Sequence, residues 1–265
     1  MNPPSKTNVK RILVAVDTSP RSLAPLEMAV NLAARMQAQL ETLFIEDMNL
    51  LNLAGLPFAK ELDRTSGEAR ALNAPNITYA LQNQAQRLRQ LLQTFSEQKQ
   101  IKTNLRVVRG NYFTEAMHAK ADILFMLTSK RVSVTTPGQP AKSGSVSMRF
   151  WNAAPVYVYY TGGSESERPL SLASDLAEIL GTEVMVLLPA NNEKTITALK
   201  KRARKILGGK SPIRYEIIDT DLATTAKKIA ASGCSLLVLP KYDTRSKLHE
   251  IQALESIHCP VVLVA

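Results

Sequence analysis

The sequence predicts an α/β protein made of two tandem doubly wound parallel-sheet domains. Three observations lead there. Ile12 to Phe44 aligns without a gap to Val156 to Leu188, with eight of 33 positions identical, including Pro25/Pro169, Leu26/Leu170, Ala29/Ala173 and Ala33/Ala177. Both copies read apolar run, turn, Leu/Ala-faced helix, apolar run, which is a βαβ unit; their offset is far too long for a solenoid repeat. Strands and helices then alternate along both halves, and right-handed crossovers between them build a parallel sheet. The 265 residues leave room for two domains of about 130 each. The expected division is 1–153 and 154–265, with 46–76 an insertion in the first domain.

Residues 1–10 are expected to be a disordered lead. Ile12–Val16 is continuously apolar, as a strand covered on both faces should be. Ser19 and Pro20 open a helix as cap and first-turn residue; Leu23, Leu26, Ala29, Val30, Ala33 and Met36 keep its helical spacing. Gln39–Ile45 is the second strand. The stretch 46–76 is irregular and contains an apolar segment, Leu50–Ala59, broken by Gly55 and Pro57. That segment is open to several readings: a lid, a dimer contact, a partner-docking helix, or an insertion packed on its own domain. A helix over Ile77–Lys99 follows, with Leu81, Ala85, Leu88, Leu91, Leu92 and Phe95 as its buried stripe. Leu105–Val108, a short helix near Thr114–Lys120, the strand Ile123–Leu127, a polar loop 128–143 and a short helix Val146–Asn152 capped by Ser145 complete the first half.

The second half reads as strands 156–160, 183–188, 213–218, 235–239 and 260–264, alternating with helices 167–180, 193–207, 222–231 and 246–257. The basic run Lys200–Lys205 is interleaved with Leu199, Ala203, Ile206 and Leu207 and reads as the wet face of an amphipathic helix. Ala154-Pro155-Val156-Tyr157-Val158 resembles the closing Cys259-Pro260-Val261-Val262-Leu263 yet also opens the second copy of the repeat. It is assigned here as the opening strand of the second domain. That leaves the first domain with a bare sheet edge, a natural place for strand pairing within or between chains.

Composition narrows the function. No run reaches the roughly 18 apolar residues of a membrane span, and Met-Asn-Pro-Pro-Ser-Lys has no signal-peptide core, so a cytoplasmic location is expected. Cys234 and Cys259 stand in apolar surroundings and are expected to be buried and reduced, since structural zinc wants four ligands. The net charge of +10 is uneven: +8 in residues 1–153 and +2 in 154–265. A basic first half suits an anionic small molecule, an acidic partner or nucleic acid. With aromatics at 5% there is no stacking platform for single strands, which argues against nucleic acid. Neither a dinucleotide fingerprint, a Walker loop, HExxH nor a nucleophile elbow occurs, so no catalytic site is expected.

Ile-Leu-Val-Ala-Val-Asp-x-Ser ahead of a Leu/Ala-rich helix, then Ala-Gln-Leu-Glu-Thr-Leu, Gly144-Ser145-Val146-Ser147 before a helix, and the closing Cys-Pro-Val-Val-Leu-Val strand together resemble the universal stress protein family, as a tandem pair. The resemblance implies a Rossmann-like fold. Nucleotide-binding members carry an Asp after the first strand that contacts the nucleoside, and a Gly-x2-Gly-x9-Gly-Ser/Thr loop that cradles phosphate. Asp17 matches the first and Gly144-Ser145 the end of the second. The two other glycine positions hold Arg131 and Val134. Valine is a poor substitute where backbone must turn through positive φ or approach a phosphate.

The resemblance therefore implies a weakened ATP site in the first domain, formed by Asp17, Thr18, Ile45, Lys130, Arg131, Gly144, Ser145 and Val146. Amides at a helix N-terminus would meet phosphate there, and Lys130 and Arg131 would add charge. Each residue keeps a plainer reading: Asp17 as a turn former, Gly144-Ser145 as a helix cap, Lys130 and Arg131 as solvated loop charges. The second copy has Thr161 in place of Asp17 and no glycine between Pro240 and Pro260, so it is expected to be degenerate. Two functions follow: a non-enzymatic stress-response binding or signalling module, or a nucleotide-free scaffold acting through self-association or an unknown protein partner. Both a monomer with paired domains and a homodimer fit.

Overall fold

The computed structural model describes residues 11–18, 23–56, 58, 60–62, 67, 69–71, 74–127, 154–190, 192–209, 211–218, 225, 229, 234–241 and 259–265. The first half runs β1 (Arg11–Val16), α1 (Leu23–Met36), β2 (Gln39–Asp47), α2 (Met48–Ala54), the hairpin β3 (Lys60–Leu62) and β4 (Ala69–Ala71), α3 (Ala74–Lys99), β5 (Thr103–Gly110), α4 (Tyr112–His118) and β6 (Ile123–Leu127). The second runs β7 (Val156–Tyr159), α5 (Ser164–Leu180), β8 (Val184–Pro189), α6 (Glu193–Leu207), β9 (Ile213–Ile218), β10 (Leu236–Pro240) and β11 (Pro260–Val264). The expected lead 1–10, loop 128–143 and helices 146–152 and 246–257 lie outside the described residues. Of the expected helix 222–231, Thr225 and Ile229 are described, helical and buried.

Local chemistry explains the ends. Asp47 starts α2 by accepting the Asn49 amide at 2.9 Å, so the insertion opens as a helix rather than an irregular stretch. Asn111 does the same for α4, taking the Phe113 and Thr114 amides at 3.0 and 3.1 Å, which moves that helix's start two residues ahead of the expected one. Helix α5 ends at Gly181, φ 66°, a left-handed cap that glycine adopts without penalty. In α3, Leu81, Ala85, Leu88 and Leu92 are buried, while Leu91 and Phe95 pack at the margin of the core. In α6 only Leu199, Ala203 and Leu207 are buried, so its basic run faces solvent.

One nine-stranded sheet carries both halves, in the order β5-β2-β1-β6-β11-β10-β7-β8-β9. Every neighbouring pair is parallel except β6 and β11, which run antiparallel with Pro260 opposite Leu127 and Val264 opposite Ile123. Val156–Tyr159 lies between β8 and β10, the central place an opening strand takes. The edge of β6, expected to be bare, is covered by β11. A single closing strand thus serves both halves: it is parallel to its own and antiparallel to the other.

The cores follow the sheet across this seam. Phe125 of β6 and Val262 of β11 share the cluster under α1, α3, α5 and α6. Leu124 and Leu263 share the cluster on the opposite face, which α4 covers. Polar contacts add to the seam: Arg35 Nη2 of α1 sits 2.5 Å from Glu178 Oε2 of α5, and Lys241 Nζ donates to the Ala119 carbonyl at 2.8 Å. Burial pulls the Lys241 ammonium below its usual pKa.

The expectation of two reduced cysteines is corrected. Cys234 and Cys259 form a disulfide with Cα atoms 5.9 Å apart, inside the range a bridge requires. Parallel pairing of β10 with β11 sets the two strand starts side by side, and each cysteine sits just ahead of its strand. Reduction should destabilise the chain by about 3.5 kcal/mol, the loop-closure value for a bridge that spans 25 residues. Urea unfolding with and without dithiol checks this, and the reductant should have no further effect on Cys259→Ser.

Candidate functional site at the carboxyl ends of β1 and β6

The chain leaves β1 for β2 on one side and returns to β6 on the other, so the strand order reverses at β1. Open α/β sheets bind ligands in the crevice at that point, beyond the carboxyl ends of the strands. Here the β1–β6 ladder runs from Ile12 opposite Ile123 to Val14 opposite Phe125. Past it the strands are joined by a side chain: Tyr112 Oη donates to the Ala15 carbonyl at 3.0 Å and accepts from the Leu127 amide at 2.9 Å. Helix α4, with its Asn111 cap, holds the ring in place. Tyr112 thus ties the carboxyl ends of β1 and β6 together.

Strand alternation puts Asp17, two residues beyond Ala15, on the same side of the sheet as Tyr112. The phenol registers it. Burial raises the Tyr112 pKa most, the negative charge of Asp17 pushes the same way, and the hydrogen bond from Leu127 opposes both. Tyr112 therefore stays protonated, with its hydrogen and a lone pair engaged by backbone. It positions two strands and does not act as an acid or base. Asp17, directly after β1, is half-buried, and Thr18 is exposed. Ile45 is 1% exposed, packed in the core cluster that holds Tyr112 and Phe113. Lys130, Arg131, Gly144, Ser145 and Val146 lie outside the described residues.

Tyr112 escaped the sequence reading, and nothing in its local pattern marks it. A cavity of about 360 Å³ lies between α3 and β5, lined by residues including Arg89, Gln93, Glu97 and Asn104. It contains none of the crevice residues and stands at the sheet edge, so it is not taken as the site. Among the described residues no cluster of His, Cys, Asp and Glu could hold a metal, and no helix is long and apolar enough to cross a membrane.

The matching place in the second half is filled by the chain itself. Thr161 Oγ1 accepts the Gly163 amide at 3.3 Å and donates to Glu165 Oε1 at 2.9 Å. Gly162 has φ +84° with the Leu199 side chain against it, and the Glu165 carboxylate lies over Gly163. Glu165 and Glu167 occupy the first turn of α5, where their charge favours the helix N-terminus and repels an incoming phosphate.

The sequence profile of the universal stress protein family matches residues 8–159, more than half of the chain. The chain belongs to the universal stress protein family. The match runs through β7, the segment with two claims on it, which the sheet places between β8 and β10. Among solved structures, a universal stress protein from Archaeoglobus fulgidus DSM 4304 is 12% identical, with 96% of this chain and 95% of that chain covered and a TM-score of 0.54. At that identity the likeness shows the fold alone, and it spans both halves. A putative universal stress protein from Pseudomonas aeruginosa UCBPP-PA14 is 12% identical, over 97% and 93%, with a TM-score of 0.48. A universal stress protein in complex with cAMP is 15% identical, over 42% of this chain and 95% of that one, with a TM-score of 0.37. No curated protein matches the chain.

Proposed function

We propose that this universal stress protein is a non-enzymatic, cytoplasmic binding or signalling module of the stress response. In this reading an adenine nucleotide, ATP first, binds at the carboxyl ends of β1 and β6, within a first domain spanning 1–153. The observation that carries the reading is Asp17 directly after β1, whose carboxyl end Tyr112 ties to that of β6 by two backbone hydrogen bonds. A carboxylate held there accepts hydrogen bonds from nucleoside hydroxyls or amino groups, and the tied strand ends limit the ordering cost of binding. Gly144, Ser145 and Val146 would offer amides to phosphate, with Lys130 and Arg131 supplying charge where two loop glycines are missing. Thr18 follows Asp17, and Ile45 packs in the core with Tyr112.

The self-filled turn at Thr161–Glu165 supports a second domain, 154–265, that is a structural partner rather than a second site. Nucleotide occupancy would order the 128–143 loop and alter the surface seen by a protein partner. In a reducing cytoplasm Cys234 and Cys259 would be thiols, so the form that works there would be the less stable one. The scaffold reading keeps one observation of its own: Met48, Leu53, Leu56 and Phe58 are exposed, the last at 75%, as a partner-docking insertion would require.

Mass spectrometry of small molecules released from protein purified without added nucleotide tests the first reading. An adenine nucleotide released by the wild type and lost from Asp17→Ala is the expected result. Equal amounts from both proteins would place any bound nucleotide elsewhere.

A further inference from the structure

We propose that the outer edge of β9 is a self-pairing surface, which joins two copies of this chain by antiparallel strand addition centred on Tyr215. Strand β9 ends the nine-stranded sheet, and among the described residues no strand pairs with its outer edge. The Val184 amide donates to the Pro212 carbonyl at 2.9 Å, and peptide directions alternate along a strand. The backbone groups of Pro212, Arg214, Glu216 and Ile218 therefore turn toward β8, while those of Ile213, Tyr215 and Ile217 face outward. An antiparallel partner bonds only to residues that face it. Centring the pair on Tyr215 sets Ile213 opposite Ile217 and Tyr215 opposite its own copy, so all three outward residues are matched. Pro212 has no N–H to give, and it falls at a position that faces β8, so its ring removes no bond from the new ladder.

The side chains agree with this register. Arg214 of one copy lies opposite Glu216 of the other, twice by symmetry, in the closer type of antiparallel pair with Cα atoms about 4.5 Å apart. The Arg214 side chain is largely exposed even while it holds Glu183 at 3.0 Å. Ile217 is 51% exposed, and in the pair it meets Ile213. The opposite edge, β5, differs in kind. It carries Arg106 and Arg109 and no acidic residue, so two β5 edges form no opposite-charge pair in any register. Both arginines are held instead by Glu41 and Glu46 of β2. Pairing of β9 with β5 would be head-to-tail and would grow open chains, whereas β9 with β9 closes at a dimer.

Sedimentation velocity on the full chain over a hundredfold concentration range tests the proposal. The wild type should form a reversible dimer. E216R and R214E should each be monomeric with unchanged circular dichroism, because each sets like charges opposite one another. Mixing the two variants should restore a dimer, since each then supplies the charge that the other lacks. A wild type that stays monomeric, a dimer that E216R leaves intact, or open-ended assemblies would overturn it.

Discussion

Phe125→Ala is expected to cost about 3–5 kcal/mol, the range for emptying a buried phenylalanine site. The side chain is fully buried at the middle of β6, opposite Val14 on one side and Val262 on the other. It belongs to the cluster that crosses the antiparallel seam, so the cavity would open where the two halves share one core. Both halves should lose stability together, in one transition at lower denaturant. Urea unfolding followed by near- and far-ultraviolet circular dichroism checks this. A cost below about 1 kcal/mol, typical of a surface change, or two separate transitions would contradict a shared core.

Tyr112→Phe is expected to cost about 2–6 kcal/mol, the sum for two orphaned backbone groups. The ring volume is kept, so the loss reports the hydroxyl alone. Removing it orphans the Ala15 carbonyl and the Leu127 amide, and each unsatisfied buried group costs about 1–3 kcal/mol. The site should suffer as well, because the tie between β1 and β6 is gone. Faster amide exchange at Leu127, together with weaker ATP binding, is the expected pair of results. An unchanged Leu127 exchange rate would mean that the hydroxyl does not join the strands.

The internal repeat made the βαβ units legible because their apolar spacing follows from burial on both faces of a parallel sheet. Strands 213–218 and 260–264 and the helix 193–207 agree with their expected bounds for that reason. The antiparallel seam was not legible: Pro260-Val261-Val262-Leu263-Val264 is uniformly apolar, and such a strand does not declare the direction of its neighbours. Tyr112 was missed on similar grounds. Its hydroxyl reaches Ala15 across 97 residues of sequence, and in a short helix a tyrosine reads as ordinary core. The disulfide depends on strand adjacency that spacing does not reveal. Asp17 draws attention in the sequence because a carboxylate directly after a fully apolar strand is out of keeping with what precedes it, and its contact with a ligand is the proposal made above.

Calorimetric titration of ATP into the wild type and Asp17→Ala, with cAMP as a comparison ligand, tests the nucleotide site most directly. Saturable binding by the wild type is predicted, at least tenfold weaker in the variant, which corresponds to about 1.4 kcal/mol. A melting temperature that rises with ligand excess over the dissociation constant should accompany it. No heat and no thermal shift at millimolar ATP, or equal binding by both proteins, would contradict the site at Asp17.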